Sequence, residues 1–262
     1  MNKIGFRTVG FRNWPLDKAL QAIGNAGFDG VELCLEHPDM RPEALPLEHC
    51  PTILDLVRSA GLEIASVSYH GDREEPLARA ANQLRSIEIT QALGCDILIL
   101  NSQHIIEGQQ ERQWAQFVDH LRQTLLPAAM EAGVALAIEP EPGMFIHGTA
   151  EMLRLLKDVD HPALAINLDI GHAWLTDDDL LQSVRDLAPH LVHLHWEDFP
   201  AGEHKHLIPG EGDMPLSDIY GVLQDIGYEG YYTIDLFNIA DDPEAVAQAS
   251  YKATRALVQP EK

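Results

Sequence analysis

One local pattern recurs along the chain and restricts its fold more than any other feature: a helical stretch, a Gly able to stop it, then a short apolar strand. It reads Asn25-Ala26-Gly27-Phe28-Asp29-Gly30-Val31-Glu32-Leu33, and again Ser59-Ala60-Gly61-Leu62-Glu63-Ile64-Ala65-Ser66-Val67. Ala92-Leu93-Gly94 before Cys95–Leu100, Glu131-Ala132-Gly133 before Val134–Glu139, and Asp225-Ile226-Gly227-Tyr228 repeat it. Two further units use Pro, His161-Pro162 before Ala163–Ile166 and Pro189-His190 before Leu191–Leu194. Gly accepts the left-handed cap of a helix without a Cβ clash, and Pro cannot continue one.

With an opening strand over Ile4–Thr8, these make eight βα units in 262 residues. The strands are brief and apolar, as in a parallel sheet covered by helices. Leu16, Ala19, Leu20 and Ile23 share one helical face, as do Leu216, Ile219, Val222, Leu223 and Ile226. Asp242-Pro243-Glu244 reads as an N-cap followed by Pro at the first helical position. Gly5-Phe6-Arg7-Thr8-Val9-Gly10 lacks the dinucleotide-binding G-x-G-x-x-G. With no linker to split it, the chain over residues 1–262 is expected to be a single (β/α)8 barrel.

Composition excludes several classes of function. The formal net charge is -23, from 41 acidic against 18 basic residues, which opposes a nucleic-acid partner because phosphate contacts need a basic surface. No apolar run is long enough for a membrane helix, and Met1–Phe6 lacks a signal-like stretch. Cys34, Cys50 and Cys95 are unpaired in spacing, so a reducing cytoplasm is the expected compartment.

Chemistry in such a barrel gathers at the C-terminal strand ends. Those ends carry Glu32 and Glu36, Tyr69 and His70, Asn101 to His104, Glu139-Pro140-Glu141, Asp169 to His172, His195 to Asp198, and Asp235. Glu139, Asp169 and Asp235 each close an apolar strand, where a carboxylate must be exposed, paired or metal-bound. His193 and His195 point the same way on one strand; His195 is nearer the mouth, and His193 reads as a hydrogen-bonded core residue. Three carboxylates with one imidazole suit one divalent ion, Mn²⁺ foremost, with Mg²⁺, Co²⁺ or Zn²⁺ as alternatives. Such an ion can hold adjacent oxygens of a polyol or hydroxy ketone and stabilise an enediolate, while ligand carboxylates shuttle a proton.

At this level the chain resembles the sugar phosphate isomerase/epimerase family with the xylose-isomerase-like barrel. The markers are Gly27-Phe28-Asp29-Gly30-Val31-Glu32, Glu139-Pro140, Asp169-Ile170-Gly171-His172, His195-Trp196-Glu197-Asp198, Pro209-Gly210-Glu211-Gly212-Asp213 and Gly227-Tyr228-Glu229-Gly230. The resemblance implies metal ligands at Glu139, Asp169, His195 and Asp235, and an acid/base pair of Glu139 and Asp235. It implies substrate contacts at His172 and His206, with Glu32 and His70 on the wall. The family usually ends its last strand with Glu, and this chain has Asp235. A shortfall of about 1 Å can cost on the order of a hundredfold in rate. The expected activity is therefore a metal-dependent isomerase or epimerase, with a lyase, dehydratase or keto-glycoside-cleaving enzyme as alternative, and proton transfer resting on Glu139.

The expected partner is a small sugar or polyol, with no membrane and no nucleic acid; a homo-oligomer is compatible. Arg7, Arg12 and Lys205 are the cations expected near the mouth, too few to require a phosphorylated substrate. The rival of another class is an abasic-site endonuclease on the same barrel, favoured by His70, His172, His195 and His204-Lys205-His206 and opposed by the net charge.

Overall fold

The computed structural model describes residues 2–237 and 242–259. Eight parallel strands close into a barrel in chain order. They are β1 (Lys3–Arg7), β2 (Gly30–Cys34), β3 (Glu63–Ser68), β4 (Ile97–Asn101), β5 (Ala135–Glu139), β6 (Leu164–Asp169), β7 (Leu191–Trp196) and β8 (Tyr231–Ile234). The helices between and after them are α1 (Leu16–Ala26), α2 (Cys50–Ser59), α3 (Pro76–Ala92), α4 (Gln110–His120), α5 (Leu126–Ala132), α6 (Thr149–Val159), α7 (Ile170–Thr176), α8 (Leu180–Leu187), α9 (Leu216–Asp225) and α10 (Pro243–Val258). The eight expected strands are all present.

The repeat owes its regularity to the turn it encodes. Gly27 closes α1 with φ 100°, and Gly61, Gly94, Gly133 and Gly227 take the same left-handed region before their strands. The unit read from His161-Pro162 differs: Asp160, at φ 45°, supplies the left-handed cap of α6. Asp tolerates that conformation better than most residues, so no Gly is needed there. The expected face of α1 is buried through Leu16, Ala19, Leu20 and Ile23, and that of α9 through Leu216, Ile219, Val222 and Leu223. Asp242 caps α10 by accepting from the Ala245 N–H, as its sequence predicts.

Register then sets the site. Asn101 pairs across from Glu139, and Asp169 from His195, so polar residues stand side by side at the tips of β4 and β5 and of β6 and β7. Register shifts lie between Val31 and Glu32 and between Ile166 and Asn167. The extra residues, Ala65 on β3 and Val192 on β7, lie on the partner strands, and Glu32 and Asn167 beside these shifts both meet the site residues inside the barrel.

Candidate active site

At the C-terminal end of the barrel three carboxylates converge on one imidazole nitrogen. His195 Nδ1 lies 3.4 Å from Glu139 Oε1, 3.6 Å from Asp169 Oδ2 and 3.8 Å from Asp235 Oδ2. All four residues are at most 2% exposed. The other ring nitrogen, Nε2, sits 2.9 Å from Glu32 Oε2, which fixes the ring and aims Nδ1 at the acids.

The donors fit a shared divalent ion better than they fit each other. Glu139, Asp169 and His195 offer atoms within 4.8 Å of one another. Asp169 Oδ2 and Asp235 Oδ1 are buried with no hydrogen-bond partner among the described residues, a costly arrangement unless a cation completes it. Neighbouring ligands about 2.1 Å from one ion stand roughly 3–3.5 Å apart, close to the spacing seen here. Asp235 stands at the edge of the group, because its Oδ2 is also paired with Arg7 Nη1. A bound ion would supply positive charge to polarise substrate oxygens at this point.

The surroundings push Glu139 and His195 towards opposite charges. Burial would raise Glu139, but His195 and His70 hold it well below the carboxylate range. Burial opposes a proton on His195, yet Glu32 and Glu139 raise it well above its usual value. His70, 3.3 Å from Glu139 Oε2, is raised by that contact to about 9 despite its burial.

Glu32 requires a correction. Expected on the substrate wall, it is wholly buried and lies one layer beneath the cavity, against Arg7, Ser66, His193 and His195. It sits in the middle of β2, two residues before the strand ends at Cys34, and so lies below the mouth. His193 is the core histidine anticipated, 3.2 Å from Ser66 Oγ.

His70, His172 and His206 do line the cavity, which encloses about 780 Å³. The His172 ring nitrogen Nδ1 is 3.2 Å from the Pro140 carbonyl, and that of His206 is 3.0 Å from the Asp235 carbonyl. Donation to those carbonyls leaves each Nε2 free for a ligand. The Asp169 carboxylate does double duty, since Oδ1 also accepts the His172 N–H and caps α7. Gly171 is required between them: a Cβ there would come within 2.2 Å of the Phe199 ring. The His70 loop is held by Glu36, which accepts the N–H groups of His70 and Gly71, and by Arg79 Nε, which donates to the His70 carbonyl at 2.7 Å.

The acidic residue of the His195–Asp198 motif organises a loop. Asp198 accepts the N–H groups of Phe199, Gly210, Gly212 and Met214 at 2.9–3.1 Å. That ties down the segment carrying His204 and His206, and explains Pro209-Gly210-Glu211-Gly212-Asp213: a Cβ at Gly212 would meet Asp198 Oδ1 at 2.4 Å.

Asn167 escaped sequence reasoning, and Glu197 and Arg7 were noted near the mouth without the places they take. Asn167 donates to Glu139 Oε2 at 3.1 Å. Glu197, wholly buried and beside Asp169 and Asp235, is pushed well above the usual range by burial and by those two acids. Its position two residues after His195, just past the end of β7, was the available signal. Arg7 emerges as a buried cation paired with both Glu32 and Asp235, where an exposed mouth charge was expected. Arg12, Arg41 and Arg73 line the cavity as well, and Lys205 does not.

The model of the xylose isomerase-like TIM barrel family matches residues 20–257, and the chain belongs to that family. It is 23% identical to fructoselysine 3-epimerase of Shigella flexneri, over 98% of both chains. Among solved structures it resembles D-psicose 3-epimerase from Clostridium cellulolyticum H10, with a TM-score of 0.79, 19% identity and coverage of 98% and 99%. It also resembles the 3-keto-D-glucoside 4-epimerase YcjR of Escherichia coli, with a TM-score of 0.81, 19% identity and coverage of 98% and 100%.

Proposed function

We propose that this chain is a divalent-metal-dependent sugar isomerase or epimerase acting on a ketose, keto-sugar or polyol-like substrate. The observation that carries this reading is the convergence of Glu139, Asp169 and Asp235 on His195 Nδ1, with buried carboxylate oxygens left unpartnered. Glu139, Asp169, His195 and Asp235 would hold the ion, and this donor set favours Mn²⁺. The names of the relatives above support sugar epimerisation or isomerisation as the reaction class.

In this reading Glu139 removes the proton from the carbon beside the substrate carbonyl. The electron pair left behind enters the enediolate, and a proton is then returned to carbon. Asn167 and His70, both on Glu139 Oε2, orient that carboxylate. His172 and His206 present Nε2 to substrate oxygens from the cavity wall. A cavity of about 780 Å³ falls in the range of small-molecule pockets. The net charge of -23 supports a small molecule over a nucleic acid. The buried free cysteines Cys34, Cys50 and Cys95 fit a reducing compartment.

The test is incubation of the Mn²⁺-loaded protein in D₂O with ketoses, oxidised glycosides and inososes, read by NMR. Deuterium should enter at a single carbon next to a carbonyl. Absence of exchange across the panel, with metal bound, would refute proton-transfer chemistry.

A further inference from the structure

Arg7 is a buried cation that joins two carboxylates of the candidate metal centre's surroundings, Asp235 and Glu32, without itself being able to ligate an ion. Its Nη1 pairs with Asp235 Oδ2. Its Nε lies 2.6 Å from Glu32 Oε1, and the opposite oxygen of Glu32 holds His195 Nε2 at 2.9 Å. Nη2 reaches towards Ser68 Oγ at 3.5 Å. The guanidinium is 5% exposed, so its charge is set against these two carboxylates and not against water. A planar fork can serve two acids at once in fixed directions, which a lysine ammonium cannot do.

This arrangement answers the departure at the end of β8. A side chain as short as Asp reaches less far than Glu and needs an external hold to keep its carboxylate in place. Arg7 provides that hold on Oδ2, the oxygen that stands 3.8 Å from His195 Nδ1, and leaves Oδ1 buried and unpartnered. The same cation holds Glu32, whose carboxylate sets the ring of His195.

We propose that Arg7 is a positioning residue that sets two of the four ligands, Asp235 directly and His195 through Glu32. Asp235 is thereby assigned to holding the ion, and the carbon-bound proton is left to Glu139. This rests on the metal-centre reading above.

The test is Mn²⁺ affinity, measured by calorimetry on the wild-type protein and on Arg7→Lys and Arg7→Met, with the melting temperature of each metal-free protein. Loss of a partner that orients a ligand typically weakens metal binding 10–100-fold. Arg7→Met should show a loss in that range. Arg7→Lys keeps the charge and loses the fork; it should fold and bind Mn²⁺ about tenfold more weakly. A purely structural Arg7 predicts that Lys restores affinity together with stability. Should Arg7→Met fail to fold, Arg7→Lys carries the test. Wild-type affinity in a folded Arg7→Lys would overturn the proposal and leave the metal centre standing. Absence of Mn²⁺ binding by the wild type would overturn both.

Discussion

The two ends of the barrel handle charge in opposite ways. At the N-terminal end Glu63 pairs with Lys3 at 2.5 Å and accepts from the Tyr231 hydroxyl at 2.6 Å, and Asp29 meets Arg255 at 3.2 Å. These pairs are solvent-facing: the Lys3 and Glu63 side chains are 49% and 64% exposed. At the C-terminal end Glu32, Glu139, Asp169, His195, Glu197 and Asp235 are all at most 2% exposed and face one another. Exposed pairs contribute little and cost little, whereas buried unpaired charge is expensive. A chain that keeps such a cluster at one end only has separated stability from chemistry, as barrels of this kind do.

That contrast can be pressed from the mouth downward. The largest effect should come from pH on metal binding. His195 is raised well above its ordinary value in the metal-free site, mainly by Glu32 and Glu139 acting against burial. Coordination through Nδ1 must expel that proton, so affinity falls as pH falls. With one proton released, calorimetric titration should show Kd for Mn²⁺ weakening about tenfold per pH unit below the raised His195 value. A Kd flat between pH 8 and pH 6 would break the assignment of His195 as a ligand.

A smaller effect should follow Gly171→Ala. The new methyl would displace the Phe199 ring, which packs 4.7 Å from the His206 ring. Overpacking of this kind costs about 1–3 kcal/mol. Thermal denaturation should register that loss, and KM should rise as His206 shifts. An unchanged KM would detach His206 from substrate.

The smallest effect belongs to the other end. Hydrogen bonds from Lys3 and Tyr231 lower Glu63 below its ordinary value. A depressed carboxylate adds stability above its unfolded pKa, near 4.3, and loses it as pH falls through the folded value. Glu63→Gln should therefore cost less than about 1 kcal/mol at pH 7, and progressively less as pH falls through the folded value. Turnover should be unaffected. A drop in kcat would mean the two ends are coupled.

Much of this comparison was visible in the sequence, for a definite reason. Glycine and proline punctuation reports where helices stop, so the repeat shows eight strands and their polar tips. Glu139, Asp169, His195 and Asp235 meet because each ends a strand, and closure of the barrel does the rest. Burial depth was less legible. Glu32 stands inside the apolar run of its repeat, with Leu33, Cys34 and Leu35 after it, and that position two residues before the end of β2 puts it beneath the cavity. Arg7 looked like a mouth cation, because the partners that bury it lie 25 and 228 residues away in sequence. Asn167 carries no charge pattern at all, and only its register next to His193 brings it to Glu139.

The most direct measurement compares wild type and Glu139→Gln, both Mn²⁺-loaded, for deuterium entry at the reacting carbon of a substrate the wild type turns over. The account predicts that the Gln protein folds and loses exchange and turnover together, by about 10²–10⁴-fold, the usual contribution of a positioned general base. Exchange persisting at the wild-type rate would contradict it, because the proton would then be moved by a group other than Glu139.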